Sequence, residues 1–131
     1  MGIVAGLSMA LIAACGGGGE PAAACVTPPP VQDTSDLPTG LPLAEFGTVT
    51  DAGRDGTNRY GEIITETTIV ELYPPMARAL LDAGYQILSS ENEGFEAEIF
   101  FAKGRKVTGA YRLREGPCGD LVTVRLLYTT R

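Results

Sequence analysis

The strongest constraint on this chain is a two-residue alternation that recurs three times in its last forty residues. In Phe95 to Phe101 the apolar side chains fall at odd positions (Phe95, Ala97, Ile99, Phe101), with Glu96 and Glu98 between them. In Val107 to Leu113 the odd positions are again the apolar ones, and Arg112 and Arg114 take the other side. In the last segment the even positions Val122, Val124, Leu126 and Tyr128 are apolar. Because successive strand side chains point to opposite faces, each segment reads as a strand with one buried and one wetted face.

The turns between these segments suit an antiparallel meander. Lys103-Gly104-Arg105 reads as a three-residue hairpin loop, which pairs Phe101 with Val107, Ala97 with Tyr111 and Glu96 with Arg112. A Gly116-Pro117-Cys118-Gly119 turn reverses the parity, pairing Tyr111 with Val124 and Leu113 with Val122. Upstream, Thr67 to Leu72 is rich in β-branched residues and reads as a strand. Pro74 and Pro75 then open a short helix over Met76 to Ala83. Met76, Ala77, Leu80 and Leu81 form its apolar stripe, Gly84 its C-cap, and Tyr85 to Ser89 one more strand. The expected fold class is α+β: a small antiparallel meander of three to five strands with one short helix packed on one face.

One helix covers one face. The other is expected in water, with Glu96 and Glu98 opposite Arg112, Arg114 and Arg125 on neighbouring strands. Phe100 and Leu127 interrupt that polar surface. The segment Leu41 to Thr50 is expected to cap them, the alternative being that they are binding contacts.

The beginning of the chain is built differently. Gly2 to Ala14 is an uncharged apolar run, too short to cross a hydrocarbon core about 30 Å thick comfortably. It ends in Leu11-Ile12-Ala13-Ala14-Cys15, which resembles the lipobox of bacterial prolipoproteins: an aliphatic residue, two small ones, then the cysteine. The resemblance implies a signal peptide over residues 1–14, cleaved so that Cys15 becomes the N-terminus, its thiol carrying diacylglycerol and its amino group a further acyl chain such as palmitate. Two or more chains anchor a protein stably in a lipid bilayer where one binds marginally. The first basic residue is Arg54, so the run lacks the positive flank such signals usually carry. Residues 15–42, with four glycines at Gly16 to Gly19 and three prolines at Pro28 to Pro30, read as a Gly/Pro-rich tether. Residues 43–131 read as a single domain. The resemblance implies a membrane-anchored, extracytoplasmic place in the bacterial cell envelope.

With Cys15 assigned to lipid, Cys25 and Cys118 remain, and an oxidising location allows a disulfide between them, the alternatives being free or intermolecular thiols. A cysteine–histidine nucleophile is excluded because the chain has no His. The same lack removes the usual proton shuttle and most zinc sites. No phosphate loop or serine elbow is present, so no catalytic residue is assigned.

The net charge of −6 and pI near 4.5 argue against a nucleic-acid partner. Lys103, Arg105 and Lys106, with Arg112, Arg114 and Arg125, could meet an anionic component, or be paired with the glutamates beside them. Asp51 to Glu62 matches a calcium loop at Asp51, Asp55, Gly56 and Glu62. Gly53 stands where a ligand belongs and Asn58 where an apolar residue does, so a loop between strands is the plainer reading, with Ca2+ the only cofactor suggested. The function expected on these grounds is a tethered, non-enzymatic interaction module that binds a protein or envelope component. A structural envelope lipoprotein, a small hydrolase using carboxylates and a calcium-stabilised binding domain are the alternatives.

Overall fold

A computed structural model describes residues 27–116 and 120–131. Six strands form one antiparallel sheet: β1 (Thr48–Asp55), β2 (Asn58–Thr65), β3 (Gln86–Asn92), β4 (Glu96–Lys103), β5 (Val107–Glu115) and β6 (Val122–Thr130), in the spatial order β1-β2-β6-β5-β4-β3. One helix, α1 (Ile69–Asp82), connects β2 to β3 and packs on one face. The α+β class stands. The β1–β2 hairpin, joined through Gly56 and Thr57, takes the sheet to six strands by pairing β2 with β6.

The stretch read as a strand at Thr67 to Leu72 is instead a helix start. Thr68 is the N-cap, with its Oγ1 accepting from the Glu71 N–H at 3.3 Å and donating to the Glu71 carboxylate at 3.1 Å. Thr68-x-x-Glu71 has the sequence of a capping box, here with the carboxylate accepting from the Thr68 hydroxyl, and this cap outweighs the β-branched character of Thr67 to Val70. Both prolines therefore lie inside the helix. Interior prolines are costly; here the cost is offset by the cap and by burial of Ile69 and Leu72 ahead of them. The buried stripe is Ile69, Leu72, Met76 and Leu80, spaced three, four and four apart, while Leu81, expected in the stripe, is exposed. At the other end Gly84, at φ +86°, donates to the Leu81 carbonyl and Tyr85 to the Leu80 carbonyl, closing a Schellman motif. Lys103 adds its Nζ to the last orphan carbonyl, Ala83, at 3.0 Å.

The two meander registers are each displaced by two residues from expectation. Across β4 and β5, Lys103 pairs with Val107, Phe101 with Gly109, Ile99 with Tyr111 and Ala97 with Leu113. Lys103 belongs to the ladder, so the loop is Gly104-Arg105-Lys106. Across β5 and β6, Tyr111 meets Leu126 and Glu115 meets Val122, leaving a connection of residues 116–121 rather than a four-residue turn. A shift of two preserves every side chain's face, so the inward set is unchanged even though its partners differ. Phe101 ends over Gly109, where a Cβ would come within 2.6 Å of the ring; the glycine makes room for that ring. Phe95, expected inward, lies before β4 and is exposed.

The inner face is covered in two halves. Helix α1 lies across β3, β4 and β5. Over β2 and β6 lies an arm from residues 31–46, part of which reads in the sequence as tether. Its Asp36 and Pro42 carbonyls accept from Tyr128 Oη at 3.0 Å and Tyr111 Oη at 2.6 Å, and Leu41 and Leu43 are buried. Leu37 and Leu43 sit where a side chain on Gly61 would otherwise be. Val31 donates to the Val49 carbonyl, so the arm also borders the outer edge of β1. Between these covers and the sheet lies one core containing Ile63, Ile99, Phe101, Tyr111, Leu113, Val124 and Leu126, all fully buried. No helix among the described residues is long and apolar enough to cross a membrane.

Candidate docking face

The expected cap over Phe100 and Leu127 does not form. The Leu41 to Thr50 segment contributes Leu41 and Leu43 to the inner face and then becomes β1, leaving Phe100 39% and Leu127 51% exposed on the outer face. The register places these two residues in one row across the sheet. Phe100 of β4 pairs with Ala110 of β5, Ala110 with Leu127 of β6, and Leu127 with Tyr60 of β2. Tyr60 in turn pairs with Gly53 of β1 and lies over it, in the space a Cβ there would need. The backbones of the apolar residues span three inter-strand steps of about 4.8 Å, or roughly 14 Å.

Two residues along each strand lies a charged row: Glu91, Glu98, Arg112, Arg125, Glu62 and Asp51, running from β3 to β1. Arg112 Nε donates to Glu98 at 2.6 Å, and Arg125 Nη2 to Glu62 at 3.1 Å. One row further, Arg114 Nη2 donates to Glu96 at 2.7 Å. That hydrogen bond and the Glu96 charge raise the guanidinium pKa of Arg114. The arginine side chains are more than half exposed, so solvent screens the pairs and they add little to stability. Arg112 and Arg125 stand directly opposite each other, an unfavourable cross-strand pair, each held by a glutamate on its far side. The anticipated Glu96–Arg112 pair is replaced by Glu98–Arg112 and Glu96–Arg114, a direct result of the register shift.

The other candidate sites fare differently. Asp51 and Glu62 are opposite in the β1–β2 ladder, whereas Asp55 lies at its far end beside the turn, so the calcium-loop conformation is replaced by a hairpin. Among the described residues no three His, Cys, Asp or Glu side chains gather to hold a metal. The basic cluster is split: Arg112, Arg114 and Arg125 are paired on the outer face, Lys103 lies 5.1 Å over the Tyr85 ring, and Arg105 and Lys106 are in the exposed turn. Glu96 and Glu98 share the open outer surface with their arginines.

The disulfide bond expected between Cys25 and Cys118 is withdrawn, since none is present. Cys15, Cys25 and Cys118 all lie outside the described residues.

The sequence reading missed Tyr60 and Ala110. Ala110 carried no signal beyond strand parity. Tyr60 sits in a β2 segment whose alternation is masked by Gly61 on the buried face and Ile64 on the open one. Comparison of the chain with protein-family models, with curated proteins and with solved structures finds no match.

Proposed function

We propose that this chain is an extracytoplasmic lipoprotein, held to a bilayer through acylated Cys15, whose folded domain docks a partner protein of the cell envelope on its outer sheet face. The observation that carries this reading is the continuous apolar row from Phe100 to Tyr60, uncovered among the described residues and bordered by a charged row. Six strands with about eight residues each give a face on the order of 700 Å², comparable to the roughly 800 Å² per partner of a standard interface. Apolar contacts in the row would supply affinity, and the Glu-Arg-Arg-Glu order beside it would select a partner with matching charges.

The test is site-specific photo-crosslinking in membranes, with the photoreactive residue at Leu127 or Ala110 and, as a control, at Leu81 on the exposed side of α1. Discrete adducts from the first two positions that disappear with Phe100→Asp, and none from Leu81, are expected. Equal labelling from all three positions, or none, would remove the docking reading. The intact mass of the same membrane-derived protein tests the anchor: loss of residues 1–14 with added acyl mass is expected.

A further inference from the structure

The two edges of the sheet are not equivalent. The edge strand β1 is bordered by the arm: Val31 donates to Val49, and Asp36 bridges to Arg54 at 3.3 Å. At the other edge, β3 has six of its seven residues exposed and, among the described residues, no hydrogen-bonding partner on its open side. Helix α1 packs on the inner side of β3, so the strand is held in place while its edge stays unpaired. Natural sheets usually blunt such an edge with charged side chains, above all Lys, with Pro or with a bulge. Gln86–Asn92 has neither Lys nor Pro and one charge, Glu91; a bulge between Ile87 and Ser89 interrupts the ladder, but Ser89 to Asn92 continue regularly beyond it.

Charge decides what can pair there. Glu91 stands directly opposite Glu98 in the β3–β4 ladder, a repulsive cross-strand pair. Glu98 is neutralised by Arg112, but among the described residues neither Glu91 nor Glu93 forms a salt bridge. Glu91, Glu93, Glu96 and Glu98 together border an open hollow at this corner. A second copy pairing through β3 would bring no cation to this corner, since Gln86 to Glu93 contains Glu91 and Glu93 but no Lys or Arg. A strand with basic side chains would instead relieve the Glu91–Glu98 repulsion.

We propose that β3 accepts an extended segment of a partner protein as a seventh strand, with Lys or Arg beside Glu91 and again two residues along, beside Glu93. Residues two apart on the added strand share a face, and Glu93, one residue past the end of β3, borders the same hollow as Glu91, so both cations reach one carboxylate corner. Main-chain hydrogen bonds hold the strand, and the alternating cations set its register. The β3 edge shares Glu91 and Glu98 with the charged row of the outer face, but its main-chain hydrogen bonds do not depend on the apolar row from Phe100 to Tyr60.

The experiment follows backbone amide shifts of the full chain on titration with a seven-residue peptide alternating lysine and threonine, and with its glutamate–threonine counterpart. Saturable shifts along β3 with the lysine peptide, weakened by added salt, and none with the glutamate peptide are expected. Glu91→Lys should weaken the lysine peptide about tenfold and admit the glutamate one. Absence of β3 shifts at millimolar lysine peptide, equal response to both peptides, shifts confined to the Phe100–Leu127 row, or β3 shifts that depend on protein concentration without peptide would each overturn the proposal.

Discussion

Phe100 and Phe101 are adjacent in the chain and chemically identical, yet one is 39% exposed and the other fully buried. Phe101 packs edge-on to Tyr85 at 5.3 Å and against Tyr111 at 5.4 Å, beneath the helix. Phe100 looks outward beside Ala110 and Leu127. The same contrast holds for the two faces as wholes. The inner face is apolar at its centre and covered in two halves by helix and arm; the outer face is banded, with an apolar row next to a charged one. Under the docking proposal, the banded face is the one a partner meets and the uniformly covered face is the one that holds the fold together.

The largest test of this contrast is to truncate each phenylalanine in turn. Phe101→Ala should cost about 3–5 kcal/mol in chemical denaturation, whereas Phe100→Ala should stay within about 0.5 kcal/mol. Comparable losses would mean that the outer face is covered after all. Next in size, Leu43→Ala in the arm should cost roughly 2–5 kcal/mol, as a core residue would; a negligible change would return the arm to the tether.

The smallest effect concerns Tyr111, whose hydroxyl bonds to the arm. Burial pushes its pKa well above the ordinary value, with the Tyr85 and Glu45 charges reinforcing the shift. The neutral form is therefore favoured in the folded state, and its contribution is fully present below about pH 10, the ordinary tyrosine value. Above that pH the unfolded chain releases the proton while the folded one retains it, so stability falls as pH rises. Tyr111→Phe should lose about 1 kcal/mol at neutral pH and show a shallower decline above pH 10, measured by denaturation across that range. An unchanged alkaline slope would show that Tyr111 is not sealed beneath the arm. Tyr85, also raised chiefly by burial, accounts for part of the slope that remains.

The C-terminal meander was legible because alternation is a local property. The inward sets Ala97, Ile99 and Phe101, then Tyr111 and Leu113, then Val122 to Tyr128 could be read from one residue to the next, as could Gly84 at the helix end. Registers were less legible, because pairing shifted by two leaves the pattern on each strand untouched. The helix start was misread where two local signals competed: a run of β-branched residues and the Thr68–Glu71 capping box, which becomes decisive only when Ile69 and Leu72 have a sheet to bury against. For the candidate site, parity placed Phe100, Leu127 and the three arginines on a common face, but not the row they form with Ala110 and Tyr60.

Sequence alone determined the α+β class, the side chains that enter the core from the last three strands, and the absence of histidine chemistry. Tertiary structure decided that residues 31–46 close half of the core, that no described residue covers the outer face, and that Glu91 faces Glu98 on an edge unpaired among the described residues. The physical reason is range. Alternation and capping act over two to four residues, whereas cover, cross-strand charge and edge exposure arise from segments tens of residues apart whose meeting no local pattern specifies.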